Sequence, residues 1–220
     1  MAPATPSLKI RDEVAALKRE RTIGAAVDLF YEEGYDNATL DEVAERLGVT
    51  KPFIYANFGS KSELLAEICS RGVQAAQDAI DGVLAKRLSP RETMKVFALR
   101  YVAAILDKQK HIAVYTREEK NLDPADARRI GEMRRDFFGK MTKLLERGVA
   151  SGEFDVDDAH IASFAIAGAV SWATFWYRSD GRLTQTEIAE VMTKLILALA
   201  GAGDYADRRK QTPARARTQR

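Results

Sequence analysis

The sequence has few of the residues on which disulfide or metal sites depend. Its 220 residues include one cysteine, Cys69, and two histidines, His111 and His160. A single cysteine excludes an internal disulfide framework, and three such residues are too few for a zinc site of cysteine and histidine. The motifs GxSxG, GxGxxG and the P-loop are also absent. We therefore expect a protein that is not an enzyme and holds no cofactor or metal.

Long apolar runs are scarce as well. The first 21 residues contain no apolar run after their first basic residues, and no later segment reaches 18 uncharged apolar residues. Secretory signals and membrane-spanning helices require such runs. The sequence therefore predicts a cytoplasmic protein with no membrane partner.

The excess of one charge sign is small and confined to one segment. The chain has 34 Lys+Arg and 32 Asp+Glu, a net charge of +2. Residues 1–61 carry eight basic against ten acidic residues, residues 62–203 carry 20 of each, and residues 204–220 carry six against two. This polar tail lacks apolar periodicity and is predicted to be disordered. It is either a solubilising tail or a loose arm that binds phosphates.

Apolar residues recur at helical spacing along nearly the whole chain, and no stretch alternates as a strand would. The sequence predicts an all-α protein of about nine helices. Glycine or proline marks several helix ends, at Gly34, Pro90, Pro124 and Gly152. The predicted helices span residues 9–33, 40–47, 51–57, 61–86, 90–107, 110–119, 124–150, 157–179 and 185–201.

The last two predicted helices carry wide apolar stripes. A monomer has little chain left to cover them, so they suggest a self-association face in which two helices from each subunit form a four-helix bundle. The alternative is the core of a monomer. The stripes comprise Ile161, Phe164, Ala165, Gly168, Trp172, Phe175 and Trp176, and then Ile188, Val191, Met192, Leu195, Ile196 and Leu199.

Residues 34–65, GYDNATLDEVAERLGVTKPFIYANFGSKSELL, predict two short helices with a tight turn between them and a third helix after them. Thr39 with Glu42 and Ser60 with Glu63 form capping boxes at the first and third helices, and Thr50 is placed to cap the second. Gly48 can adopt the positive φ of a sharp turn. The interior is predicted to hold Val43, Ala44, Leu47, Ile54 and Phe58.

This is the spacing of a helix-turn-helix, whose second helix enters the major groove of DNA. Lys51 can donate to guanine and Phe53 can contact thymine methyl groups, which would read bases. Other residues of this surface are suited to phosphate contacts that set the register. The alternative is a helical turn that only packs. The predicted DNA-binding residues are Thr39, Thr50, Lys51, Pro52, Phe53, Tyr55, Asn57 and Lys61.

Residues 21–65 resemble the TetR family of bacterial transcriptional regulators, and the helical layout extends the resemblance to the whole chain. Pro52 stands where that family usually has glycine or another small residue, and Asn57 stands where histidine is usual, which puts the preferred operator in question. The matching residues are Ile23, Ala25, Ala26, Phe30, Gly34, Tyr35, Thr39, Val43, Ala44, Gly48, Val49, Thr50, Tyr55, Phe58, Lys61 and Leu64.

The resemblance implies a homodimer that binds a palindromic DNA operator and releases it when a small-molecule effector enters the C-terminal domain. It implies an N-terminal extension at residues 1–15, a helix-turn-helix DNA-binding domain at 16–76, a ligand-binding and dimerisation domain at 77–203, and the basic tail at 204–220. Since the charge excess belongs to the tail, its removal should leave specific operator binding largely intact.

Apolar residues with a few polar groups predict an effector pocket in the C-terminal domain. A basic series between Arg128 and Lys140, with Arg178 beside Trp176, would suit an amphiphile that carries phosphates. The segment SWATFWYRSDGRLTQTEIA resembles a branch of the family that responds to acyl-CoA thioesters. The predicted ligand-binding residues are Tyr101, Tyr115, Arg134, Phe137, Phe138, Met141, Trp172, Trp176 and Arg178.

Two alternatives stay open for this domain. The basic series can instead pair with neighbouring carboxylates, such as Glu132 and Asp136, on a solvated helix face. The protein can also be a helical ligand-binding or CoA-processing protein whose helix-turn-helix is inert. Salt-sensitive binding to a palindrome separates a regulator from that second class.

Overall fold

The computed structural model describes residues 6–202 and, within them, contains nine α-helices and no strand. All-α architecture is confirmed, and each helix begins and ends within three residues of its predicted bounds. A short 3-10 helix, Glu119–Asn121, precedes α7. The α-helices are α1 Pro6–Glu33, α2 Leu40–Leu47, α3 Lys51–Phe58, α4 Lys61–Leu84, α5 Pro90–Asp107, α6 Gln109–Glu118, α7 Pro124–Ala150, α8 Ala159–Trp176 and α9 Gln185–Leu199.

Polar caps explain why several helices begin where they do. At α2 the Thr39 hydroxyl accepts from the Glu42 amide, and the Glu42 carboxylate accepts from the Thr39 amide. Thr184 and Glu187 form the same reciprocal pair at α9. Each cap satisfies amide groups that have no partner inside the helix, and its loss typically costs about 1 kcal/mol.

The described residues divide into two compact units. The first contains the residues up to Val73 together with Lys108–Gly131, and the second contains Gln74–Asp107 and the residues from Glu132 onward. The predicted boundary at residue 76 lies close to the first division, which falls within α4. The sequence contained no signal that residues 108–131 would group with the N-terminal helices.

In the first unit, α1 packs against α2 and α6. The predicted apolar face of α1 is buried, with Phe30 and Ile23 each 1% exposed. Tyr35, just after α1, packs edge-on against Phe30. Gly34, with φ of +82°, ends the helix at this point.

In the second unit, α5 packs against α8 and α9. Phe97 and Tyr101 of α5 stack at 5.2 Å between ring centres, and Phe137 of α7 lies 5.2 Å from Tyr101. All three rings are buried and form an aromatic core. The complete burial of Tyr101 raises the pKa of its hydroxyl above the ordinary value.

Helix α8 differs from the expectation that no segment is long and apolar enough to span a membrane. Its 18 residues, Ala159–Trp176, are long and apolar enough to meet the length and composition test for a membrane span, although one helix of this kind is weak evidence for one. One face of α8, including Ile166 and Val170, is buried in the second unit. Apolar residues on a second face, described below, explain the rest of its composition.

The predicted basic tail at residues 204–220 lies outside the described residues. The described part of the predicted N-terminal extension belongs to α1, which begins at Pro6. Helix α1 therefore begins three residues earlier than its predicted start.

Candidate nucleic-acid interface

A left-handed glycine makes the turn between α2 and α3. Gly48 has φ of +63°, and its amide donates to the carbonyl groups at the end of α2. The following amide, that of Val49, donates to the Ala44 carbonyl at 3.0 Å. Side chains other than glycine adopt this conformation at a cost, so Gly48 is well suited to the turn.

Helix α3 has one buried side and one exposed side. Ile54 and Phe58 are buried, together with Val43 and Ala44 of α2, as predicted. Leu47 is only half-buried. The exposed side carries Thr50, Lys51, Pro52, Tyr55, Ala56 and Asn57.

Tyr55 and Phe53 differ in how far they protrude. Tyr55 is 52% exposed, whereas Phe53 is half-buried, and the Lys18 ammonium of α1 lies 5.6 Å from the centre of its ring. Phe53 therefore lies at the side of α3, and its face toward α1 is partly covered. Tyr55 is the large aromatic that the helix presents to solvent.

The Lys51 ammonium donates to the Asp41 carboxylate of α2 at 2.5 Å. This bond raises the pKa of Lys51 above its ordinary value, so the side chain stays charged. Both groups are well exposed, and a DNA base or phosphate can compete with Asp41 for the ammonium.

The two threonines at the helix starts differ. The Thr39 hydroxyl is engaged with Glu42 in the capping box. Thr50 occupies the cap position of α3, but its side chain makes no capping hydrogen bond. The predicted cap position of Thr50 is thus confirmed, but the amide of Phe53 donates to the Thr50 main-chain carbonyl at 3.0 Å and not to its hydroxyl.

Asn57 and Lys61 also have partners within the chain. The Asn57 side-chain amide donates to the Phe53 carbonyl at 2.8 Å. The Lys61 ammonium donates to the Asp36 carbonyl at 3.3 Å and lies 4.3 Å from the centre of the Tyr35 ring. These contacts orient both side chains before any DNA is bound, which lowers the entropy cost of ordering them.

The structure brings seven of the eight predicted DNA-binding residues onto or beside the helix-turn-helix, and Lys61 follows at the start of α4. It also adds two cations of α1 that the sequence did not single out: Lys18 beside Phe53, and Arg19, whose guanidinium donates to the Asn57 carbonyl. The adjacent basic pair at positions 18 and 19 was the available signal.

A second exposed surface belongs to α8 and α9. It is apolar, and Trp172 and Ile161 are 64% and 63% exposed. We call it the α8–α9 face; its members are Ile161, Phe164, Trp172, Phe175, Trp176, Val191, Leu195 and Leu199. Large exposed apolar patches are typical of interaction sites.

The predicted ligand-binding residues are not gathered in one place. Tyr101, Phe137 and Met141 are buried core residues of the second unit, and Phe138 extends that core toward Phe164. Tyr115 is buried in the first unit, where its hydroxyl donates to Glu119. Trp172 lies on the α8–α9 face, and Arg134 is exposed on α7.

Trp176 and Arg178 do share a cavity. Its volume is about 370 Å³, and it lies between the end of α8 and the start of α9. Arg182 and Leu183 also line it, within the segment that carries the acyl-CoA resemblance. The remaining lining residues are Tyr177, Gly181, Ile188, Val191, Met192 and Leu195.

Most of the predicted basic series pairs with carboxylates. Arg129 pairs with Asp126 and Arg135 with Glu132. Lys140 contacts both Asp81 and Asp136. For these cations the structure favours the alternative of a solvated, ion-paired helix face over a phosphate site.

A capped helix, a left-handed glycine turn and a second helix with an exposed polar and aromatic side together define a helix-turn-helix protein of the DNA-binding class. The family described as "Bacterial regulatory proteins, tetR family" matches residues 23–68, and "Tetracyclin repressor-like, C-terminal domain" matches residues 87–200. The chain belongs to the TetR family of transcriptional regulators.

Known relatives agree with this assignment. The HTH-type transcriptional repressor KstR2 of Rhodococcus jostii (strain RHA1) is 26% identical over 82% of this chain and 89% of its own length. A regulator of the TetR/AcrR family from Thermobifida fusca is 32% identical, with 82% of this chain and 96% of that chain covered, and a TM-score of 0.64. AibR, solved with isovaleryl coenzyme A and operator DNA, has a TM-score of 0.70 at 20% identity, covering 80% and 96% of the two chains.

Proposed function

We propose that two copies of this chain bind a palindromic operator as a repressor and that an anionic amphiphile, such as an acyl-CoA thioester, releases them. The observation that carries the DNA half of this proposal is the exposed side of α3, where Lys51, Tyr55 and Asn57 lie together. Tyr55 is 52% exposed there, so its aromatic surface is open to a partner. Lys51 and the α1 cation Lys18 supply charge, and Tyr55 supplies an aromatic surface.

The α8–α9 face supports the dimer. A helix-turn-helix protein reads a palindrome when two copies are related by a twofold axis, and such an axis requires one self-complementary surface. The α8–α9 face is apolar, and its members come from two neighbouring helices. Pairing two such faces buries them in a four-helix arrangement. Trp176, Val191 and Leu195 of this face also line the cavity beside Arg178, so the dimer would cover part of that cavity.

The cavity beside Arg178 supports the effector. Its apolar lining suits an acyl or ring system, and Arg178 with Arg182 suits phosphate groups at the polar end of the ligand. Arg178 currently pairs with Asp180 through two hydrogen bonds, of 3.0 and 2.9 Å. KstR2 is named as a repressor and AibR binds isovaleryl coenzyme A, so this ligand class is the first to test.

The DNA half is tested by measuring binding to the intergenic DNA next to the gene. We expect salt-sensitive, sequence-specific binding, which Lys51→Ala weakens about tenfold, the size of one lost base contact. Lys86→Ala removes an exposed lysine outside the helix-turn-helix and serves as the matched control. Equal affinity for the Lys51→Ala and wild-type proteins would contradict the reading role of α3. Absence of salt-sensitive binding to any palindrome would favour the inert helix-turn-helix.

The effector half is tested on the same complex by adding an acyl-CoA series, free coenzyme A and the matching free acids. We expect the thioesters to release the DNA. Arg178→Gln combined with Arg182→Gln should weaken this response and leave ligand-free operator affinity unchanged. Release by unrelated hydrophobic compounds alone, or an unaltered response in the double variant, would contradict the assignment of the cavity.

A further inference from the structure

We propose that Arg19 of α1 is a positioning residue that holds the end of α3, and that Glu67 of α4 keeps Arg19 in place. The proposal rests on the proposed function, because it concerns the helix that reads DNA. Arg19 need not touch DNA to affect operator binding. Its role is to fix where the exposed side of α3 points.

Arg19 contacts the last turn of α3 in two ways. Its Nη1 donates to the Asn57 carbonyl at 3.0 Å, and its guanidinium carbon lies 4.7 Å from the centre of the Phe58 ring. Carbonyl groups in the last turn of a helix have no partner inside the helix and carry its partial negative charge. Arg19 therefore neutralises the end of α3 while its guanidinium lies over a buried side chain of the same helix.

Arg19 is in turn held by a set of alternating charges, which we call the charge quartet: Arg19, Glu20, Glu67 and Arg71. Arg19 pairs with Glu67 at 3.3 Å, and Glu67 pairs with Arg71 at 2.9 Å. Arg71 makes two hydrogen bonds of 2.6 Å to Glu20. These bonds lower the pKa of Glu20, so its carboxylate stays charged near neutral pH.

The quartet joins three helices at one point. Arg19 and Glu20 lie on α1, Glu67 and Arg71 lie on α4, and the contact with the Asn57 carbonyl extends the set to α3. Helix α3 has only eight residues, too few to be stable without tertiary contacts. Base readout requires side chains held to a fraction of an ångström, so a contact that fixes the end of α3 affects specificity directly.

A positioning residue and a direct phosphate contact give different salt dependence. A lost phosphate contact weakens operator and nonspecific DNA alike and reduces the slope of log affinity against log salt by about 1. A lost positioning contact weakens operator binding and leaves nonspecific affinity and the slope unchanged. Both affinities and the slope are therefore the readouts.

The test compares Arg19→Gln, Arg19→Lys and Arg21→Gln with the wild-type protein. We expect Arg19→Gln to weaken operator binding about tenfold, the scale of one charged hydrogen bond, with unchanged nonspecific affinity and salt slope. Arg19→Lys keeps a charge beside Glu67 and should recover part of the loss. Arg21→Gln removes the same charge from an exposed position of α1 two residues further along the chain, and is the control.

Equal losses on operator and nonspecific DNA with a reduced slope would overturn the proposal and make Arg19 a phosphate contact. Unchanged operator affinity in Arg19→Gln would also overturn it. If Arg19→Gln does not fold, Glu67→Gln takes its place; we expect a loss of about threefold, since it removes one support of Arg19 and leaves the bond to Asn57. Unchanged affinity in Glu67→Gln would then contradict the proposal.

Hydrogen exchange of the DNA-free protein separates this proposal from the proposed function. Arg19→Gln should speed exchange in the last turn of α3, where the Gly59 amide donates to the Tyr55 carbonyl, and Arg21→Gln should not. Failure of the wild-type protein to bind any palindrome would reject the proposed function and leave this measurement valid. Equal exchange in all variants would reject the role of Arg19.

Discussion

The Lys51 ammonium lies 2.5 Å from the Asp41 carboxylate, so the first residue of α3 is paired with the first turn of α2. If Lys51 contacts DNA as proposed, the DNA must displace Asp41 from it. We expect Asp41→Asn to tighten binding to any DNA severalfold at low salt, because it frees a cation and removes an anion near the phosphates. Fluorescence anisotropy with operator and nonspecific duplexes measures the change.

Glu45→Gln provides the comparison for this prediction. It removes the same charge from an exposed position of α2, and no ion pair joins Glu45 to Lys51 in the described residues. An equal gain from both substitutions would show that the Lys51–Asp41 contact has no special role.

Two glycines of the N-terminal unit should respond to alanine in opposite directions. A Cβ added at Gly48 or at Gly24 meets no atom within 4 Å, so space does not decide either result. Gly48 has φ of +63°, and Gly48→Ala should lower the free energy of unfolding by about 1 kcal/mol. Gly24 lies inside α1, and Gly24→Ala should raise the free energy of unfolding by roughly 0.5–1 kcal/mol. Urea unfolding of both variants tests the pair, and effects of the same sign would contradict it.

Substitution of the α8–α9 face should change the oligomeric state. Among the described residues Trp172 is the most exposed large apolar side chain, and Trp172→Arg places a charge there. We expect it to convert a dimer into monomers in sedimentation velocity experiments. Val149→Arg makes the same change at an exposed apolar residue of α7, outside this face, and should leave the dimer intact. A dimer that tolerates Trp172→Arg would place its interface elsewhere.

The Cys69 thiol should be unreactive in the folded protein. Its burial, with smaller contributions from Glu119 and Glu118, raises its pKa from 9.0 to about 12, and the thiolate is the reactive form. A disulfide reagent at pH 8 should therefore label Cys69 only after denaturation. Because the folded state disfavours the thiolate, this group's contribution to stability is present below pH 9 and is lost as the pH rises toward 12. Rapid labelling of native protein would contradict the burial of this side chain.

The local chemistry of the chain predicted the helices and the turn well. Capping residues such as Thr39 and Thr184, and Gly48 at the turn, act on their near neighbours, so their effects can be seen in a short stretch of sequence. Contacts between distant residues could not be seen there. The cover of Phe53 by Lys18 and the bond from Arg19 to Asn57 join positions 35 and 38 residues apart.

The effector-binding residues were hard to predict for a different reason. Aromatic residues recur at the same helical spacing whether they fill a core or line a cavity, so the pattern does not distinguish the two. Tyr101 and Phe137 are core residues. The cavity instead uses the loop residues Arg182 and Leu183, which carry no periodic pattern. The segment around Trp176 that carries the acyl-CoA resemblance includes several residues that line this cavity.

The apolar α8–α9 face also bears on how the protein responds to its own abundance. If operator binding requires two chains joined through this face, occupancy rises with the square of the chain concentration while monomers predominate. A twofold change in synthesis then alters occupancy of an unsaturated operator about fourfold. The exposed tryptophans of α8 would then help to set the chain concentration at which the regulated genes are repressed.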